Sequence, residues 1–159
     1  MSPQNPICSI LLAEDDADDR LLAKKALEEN RVANPLVTVN DGAELLDYLK
    51  GQGKYKDQPW RPAPCFILLD LNMPKIDGRE ALKIIKSDEK LKAIPVVVMT
   101  TSKAEEDIMK SYDTGANSYI TKPVTFEGLV AVIRSLKSYW LEIVELPTAN
   151  GNGATSPIL

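Results

Sequence analysis

Residues 65–78 read CFILLDLNMPKIDG. The apolar run Cys65–Leu69 shows no polar alternation, so it fits a strand buried on both faces, the usual condition in a parallel sheet. It stops on Asp70, an acid placed directly after a buried run, where a solvated loop carboxylate is a poor explanation. The DLNMP segment and Gly78 then mark a turn before a helical pattern begins.

Two runs of the same character flank this one, Ile7–Ala13 upstream and Ile94–Met99 downstream. Shorter, more polar candidates at Leu36–Val39 and Ser118–Thr121 suit places nearer the edges of a sheet. Helical patterns lie between the strands. Ala17–Asn30 carries Leu21, Leu22, Ala26 and Leu27 as a predicted apolar stripe. Ala43–Leu49 carries Leu45, Leu46 and Leu49, and Arg79–Lys86 carries Leu82, Ile84 and Ile85. Ala104–Thr114 offers Ile108, Met109 and Tyr112, with Gly115 as a stop, and a long final helix begins near Thr125. Strand followed by helix, repeated along the chain, implies right-handed crossovers and helices on both faces of one parallel sheet. Ligands of such sheets bind beyond the C-terminal ends of the strands, at the switch point.

The composition narrows the class. A chain of 159 residues, 44% hydrophobic and 26% charged, suits one soluble globular domain. A net charge of −4 offers nucleic acid no basic surface. No apolar run approaches the roughly 18 residues of a membrane span, and MSPQNP at the start lacks the regions of a signal peptide. The expected compartment is the cytoplasm. The chain has no histidine, which excludes His-ligated zinc, a Ser-His-Asp triad and a phosphohistidine of its own. Cys8 and Cys65 open apolar runs and are expected to be buried, reduced thiols. The segment Gly51–Pro64, rich in proline, is expected to be a functional or mobile loop, and Pro147–Leu159 a disordered tail.

Polar residues gather where the apolar runs end: Glu14-Asp15-Asp16, Asp70, Thr100-Thr101 and Thr121-Lys122-Pro123. Carboxylates in one crevice repel one another, and a hard cation such as Mg²⁺ relieves that with oxygen ligands. Asp15 and Asp70 are expected as direct ligands, with Glu14 acting directly or through water. A metal alone does not call for the Thr and Lys. An arriving phosphoryl group does, because Lys122 can neutralise its oxygens and Thr100 can donate to them, with Asp70 as nucleophile. Asp16, Asp18 and Asp19 have a simpler role as helix cap and first turn.

At these residues the chain resembles the response-regulator receiver domain, through ILLAEDD, ILLDLNMPKIDG, IPVVVMTTS and SYITKP in that order. The resemblance implies a doubly wound, flavodoxin-like α/β fold with five parallel strands in the order 2-1-3-4-5 and five helices. It makes Asp70 the phosphoacceptor, Glu14 and Asp15 metal acids, and Asn72 the residue whose backbone carbonyl completes the Mg²⁺ site. It assigns Thr100 as the hydroxyl that moves toward the phosphoryl group, the Thr101 N–H as a phosphoryl contact, Lys122 as the lysine before a cis bond to Pro123, and Tyr119 as the aromatic switch. The loop LKGQGKYKDQPWRPAP, the DGREAL segment and SYWLEIVELP are similar to single-domain regulators that partner bacterial and cyanobacterial phytochromes.

The expected organisation is an extension over 1–6, a receiver over 7–146 and a flexible tail over 147–159. The expected function is receipt of a phosphoryl group from a partner histidine kinase, with signalling through altered protein contacts rather than enzymic turnover. A Mg²⁺-dependent aspartyl-phosphate phosphatase is the enzymatic alternative, but Asn72 stands where such enzymes carry a second Asp. The residues after about Tyr139 are too few for a helix-turn-helix domain, so DNA is not an expected partner. Along the final helix, Phe126, Leu129, Ile133, Leu136 and Trp140 form the stripe expected to face the sheet. Val132, Tyr139, Ile143 and Leu146 form a second seam, expected to build a homodimer with the fifth strand.

Overall fold

In the computed structural model, which describes residues 8–58, 63–112 and 114–139, the apolar runs become the inner strands of one parallel sheet. The strands are β1 (Ser9–Ala13), β2 (Leu36–Val39), β3 (Pro64–Asp70), β4 (Val96–Thr100) and β5 (Ser118–Thr121), in the order β2-β1-β3-β4-β5. β1 and β4 are buried throughout and β3 from Cys65 on, whereas the more polar β2 and β5 lie half-buried at the edges. The helices are α1 (Ala17–Glu29), α2 (Gly42–Lys50), α3 (Gly78–Ser87), α4 (Lys103–Lys110) and α5 (Phe126–Leu136).

Side chains alternate across a strand, so each apolar run feeds both faces of the sheet. Leu11, Ala13, Ile67, Leu69, Val96 and Val98 pack against α2, α3 and α4 through Leu45, Leu82, Ile85 and Met109. Ile10, Leu12, Phe66, Leu68, Val97 and Met99 pack against α1 and α5 through Ala23, Ala26, Leu27, Val130, Ile133 and Leu136. The α1 stripe is therefore rotated from the expected one: Leu21 and Leu22 are largely exposed, and the core face runs through Ala23, Ala26 and Leu27. Alanines let α1 lie close to α5, and the Asn30 side-chain amide clamps the pair by donating to the Val130 carbonyl at 3.1 Å. Leu22 instead lines a cavity of about 150 Å³ between the two helices. Of the apolar residues expected on α4 only Met109 is buried, beside the charged Glu106, while Ile108 faces outward and Tyr112 lies exposed beyond the helix end. The helix closes at Lys110, short of the expected end at Thr114.

Phe126 and Leu129 pack on the sheet side of α5, as the periodicity predicts. Val132, assigned to the second seam, is half-buried and packs against the same core, and Tyr139 is exposed. Trp140, Ile143, Leu146 and the tail lie outside the described residues, as does the extension over 1–6. Among the described residues no helix is long and apolar enough to cross a membrane.

The cysteines are not separate thiols. The pairing of β1 with β3 sets Ser9 opposite Pro64, which brings the neighbouring Cys8 and Cys65 to a Cα separation of 5.1 Å, and they form a disulfide. Sequence spacing of 57 residues hides this, because only the strand order makes them neighbours. Part of the long loop is also ordered. Gly53–Tyr55 form a 3₁₀ turn whose Tyr55 is buried, its hydroxyl donating to Glu44 at 2.6 Å. Burial pushes the Glu44 carboxyl up, but the Tyr55 hydroxyl, Lys54 and the Asn40 N–H outweigh it and hold it at about 2.

Candidate functional site

Four strand ends and one loop build the site. β1 runs out at Ala13, and the next residue, Glu14, is almost wholly buried although its side chain is an acid. Its backbone N–H donates to the Val39 carbonyl at 3.0 Å, which continues the ladder with β2 and turns the side chain inward. Asp15 follows and is exposed. Asp16 caps α1 by accepting from the N–H groups of Asp18 and Asp19, as expected of an acid at a helix start. At the end of β3, Asp70 is 3% exposed, and its Oδ1 accepts the Asn72 N–H at 3.0 Å. Gly78 opens α3 against this strand end; a Cβ there would stand 2.6 Å from the Asp70 carbonyl oxygen, so the close approach requires glycine.

Lys122 reaches in from the end of β5. Its Nζ lies 2.7 Å from Glu14, 3.2 Å from Asp70 and 3.2 Å from Asp19. Burial by itself would lower the Lys122 pKa, but Glu14 and Asp70 outweigh it and raise it above the ordinary lysine range. Glu14 moves the other way from a common carboxylate. Burial pushes it up to about 7, with the charge of Asp70 adding to the rise and Lys122 opposing it. One ammonium thus holds two buried carboxylates together, and these two plus Asp15 offer oxygen atoms within 4.8 Å of one another. Hard oxygen donors so grouped fit a small divalent cation.

The hydroxyl residues stand beside this cluster. Thr100, fully buried at the end of β4, donates to the Ser102 carbonyl at 3.1 Å or to that of Ile120 at 3.3 Å rather than to a carboxylate. Thr101 gives both its N–H, at 2.9 Å, and its hydroxyl, at 3.2 Å, to Glu105 of α4. Tyr119 packs against the α2–α3–α4 side of the core and shares a hydrogen bond with Thr114. The Lys122–Pro123 bond is trans, since no described peptide bond is cis. This corrects the expected cis form. Even before proline the trans form is favoured by about 0.5–1 kcal/mol, and with it the Lys122 N–H meets the Thr100 carbonyl at 2.7 Å while the side chain still reaches its carboxylates.

Two residues of the site escaped sequence reasoning. Asp19, assigned only a first-turn role, bonds Lys122; the signal was its position one turn along α1 from Asp15 and Asp16. Glu105 touches Thr101, Asn72 and Arg79, and the Ser-x-x-Glu spacing from Ser102 was its signature.

A doubly wound sheet with a buried aspartate, a lysine and an acidic cluster at its C-terminal edge has the architecture of a receiver-type signalling domain. The response regulator receiver domain model matches residues 10–134, and the chain belongs to that family. It is 42% identical over 145 residues to the response regulator Rcp1 of Synechocystis, covering 91% of this chain and 97% of that one. Among solved structures it is similar to the phosphorylated cyanobacterial phytochrome response regulator RcpA, with TM-score 0.78 and 44% identity over 89% of this chain and 99% of that one. The Mn²⁺-bound form of Rcp1 matches with TM-score 0.76 and 41% identity over 88% of this chain and 99% of that one. The chain is therefore similar along most of its length to phytochrome-associated single-domain response regulators.

Proposed function

We propose that Asp70 accepts a phosphoryl group from a histidine kinase, of phytochrome type, and that the loaded protein signals through changed contacts in the cytoplasm. The observation that carries this reading is the Lys122 ammonium bridging buried Glu14 and Asp70 beside exposed Asp15. It keeps Asp70 at hand for attack, with positive charge already placed for the incoming oxygens. In the transfer, an Asp70 carboxylate oxygen forms a bond to phosphorus while the bond from phosphorus to the donor's imidazole nitrogen breaks, and the nitrogen keeps the electron pair. The product is a mixed acyl phosphate. Glu14, Asp15, Asp70 and the Asn72 carbonyl would hold Mg²⁺, which when bound supplies charge against the phosphoryl oxygens. Lys122 needs no rearrangement to serve the same oxygens. Thr100 must give up its carbonyl partners to donate, and the space it leaves is the one Tyr119 would enter. The names of the similar proteins support the phytochrome-type partner and a divalent ion. A phosphatase lacks support, since Asn72 provides no acid/base group beside Asp70.

Incubation with Mg²⁺ and a small acyl phosphate or phosphoramidate donor tests this. Intact mass should rise by one phosphoryl group in the wild type and not in Asp70→Asn. Equal labelling of the variant removes Asp70 as the acceptor.

A further inference from the structure

The donors around Asp70 are already engaged by the protein's own acceptors. Lys122 holds Glu14, Asp70 and Asp19, the Thr100 hydroxyl faces two carbonyls, and the Asn72 N–H serves Asp70 itself. The remaining donor, the Thr101 N–H, is held from outside this group by Glu105.

Glu105 belongs to the first turn of α4, where its own N–H donates to the Ser102 side chain at 3.1 Å. In an ordinary capping box the glutamate at this position reaches back to the N–H of the cap residue. Here it reaches one residue further. Oε1 accepts from the Thr101 N–H, the Thr101 hydroxyl and, at 3.4 Å, the Asn72 side-chain amide, while Oε2 takes Arg79 at 2.8 Å. Burial pushes this carboxyl up, but Thr101, Asn72 and Arg79 outweigh it and hold it below the usual carboxylate range. One carboxylate so ties the end of β4 to the loop after Asp70 and to α3. Asp70 pairs in register with Met99, which sets Thr101 beside the Asn72 loop and toward the edge where Asp70 would be loaded.

We propose that Glu105 is a positioning residue that occupies the Thr101 amide until a phosphoryl group on Asp70 displaces it. This rests on the phosphoacceptor reading of Asp70. A phosphoryl group brings further negative charge to an edge that already carries three carboxylates, and its oxygens need N–H donors. Two anions cannot share the one amide, so loading Asp70 and releasing Glu105 are a single exchange. Release also frees Arg79 and Asn72 and unties the first turn of α4, which carries the change away from the site.

The test uses the full chain, Mg²⁺ with beryllofluoride as the phosphoryl stand-in, and the ¹⁵N-resolved Thr101 amide signal. Glu105→Ala removes the competitor. Glu105→Asp keeps the first-turn charge but shortens the arm, and Asp107→Asn removes an equal charge from an exposed neighbour that does not touch Thr101. Losing a charge-assisted hydrogen bond from the unloaded state should tighten beryllofluoride binding about fivefold to tenfold in both Glu105 variants. Asp107→Asn should bind as the wild type does. The Thr101 amide should move upfield in both Glu105 variants before any ligand is added. Unchanged or weaker binding in both Glu105 variants, or the same gain in Asp107→Asn, overturns the exchange alone. A Thr101 signal unmoved in Glu105→Ala overturns the contact on which it stands. A wild type that binds no beryllofluoride and accepts no phosphoryl group overturns the reading of Asp70 and this exchange with it.

Discussion

Lys122 shows how a single side chain can make a carboxylate cluster tolerable. Glu14 and Asp70 are buried, and two such charges without a partner would cost several kcal/mol each, on the order of the penalty for any buried ion. The ammonium between them offsets that cost, while Asp15 is exposed, meets no cation or helix cap among the described residues, and adds repulsion to the cluster. The members of the cluster therefore differ in what their removal does. Without metal, Asp15→Asn should melt at or above the wild-type temperature, because it relieves repulsion and breaks no ion pair. Asp70→Asn carries no such benefit, since it weakens the bond from Lys122. At a hundredfold excess over its dissociation constant, Mg²⁺ should raise the wild-type melting temperature by about 5–10 °C. Asp15→Asn should lose most of that shift. Thermal melts with and without millimolar Mg²⁺ measure both effects, and a wild type indifferent to the ion shows that these carboxylates do not bind it.

The elements hold the site through their ends. Asp16, Asp41, Asp77, Ser102 and Thr125 each cap the helix that follows a strand, so every crossover starts with a side chain tied to its own first turn. The start of α3 abuts the strand end that carries the acceptor. Gly78 donates its N–H to the Leu71 carbonyl at 3.0 Å, and its missing side chain lets the helix abut the strand that carries Asp70. Gly78→Ala places a methyl group against backbone, which cannot yield as a flexible side chain could. The expected cost is about 1–3 kcal/mol, read as a lower urea midpoint at unchanged slope. The displaced strand end should also slow phosphoryl uptake by Asp70. An alanine variant with wild-type stability and uptake shows that α3 does not set the position of the acceptor.

Among the described residues, exposed large apolar side chains occur on α1, at Leu21 and Leu22, and around α4, β5 and α5, at Ile108, Tyr112, Val124 and Tyr139. We expect a homodimer through α5 and β5, with Tyr139 in the contact, because an apolar seam of this kind more often marks an interface than bare surface. Val132 packs partly on its own core, so Tyr139→Glu is the cleaner probe. The wild type should sediment as a dimer at high micromolar concentration and Tyr139→Glu as a monomer. A monomeric wild type, or a dimer that ignores the new charge, removes the seam as the interface. Strand–helix alternation, the parallel sheet and the acids, threonines and lysine at its C-terminal edge are legible along the chain alone. Unbroken apolar runs, and the residue at which each stops, are local properties of the chain. Tertiary structure supplied what depends on contact between distant segments. It turned α1 onto Ala23, Ala26 and Leu27 because α5 packs close, and it joined Cys8 to Cys65 because β1 and β3 are neighbours. It also brought Asp19 to Lys122 and Glu105 to Thr101. Spacing along the chain records which face of its own element a residue occupies, but not which segment the fold lays against that face.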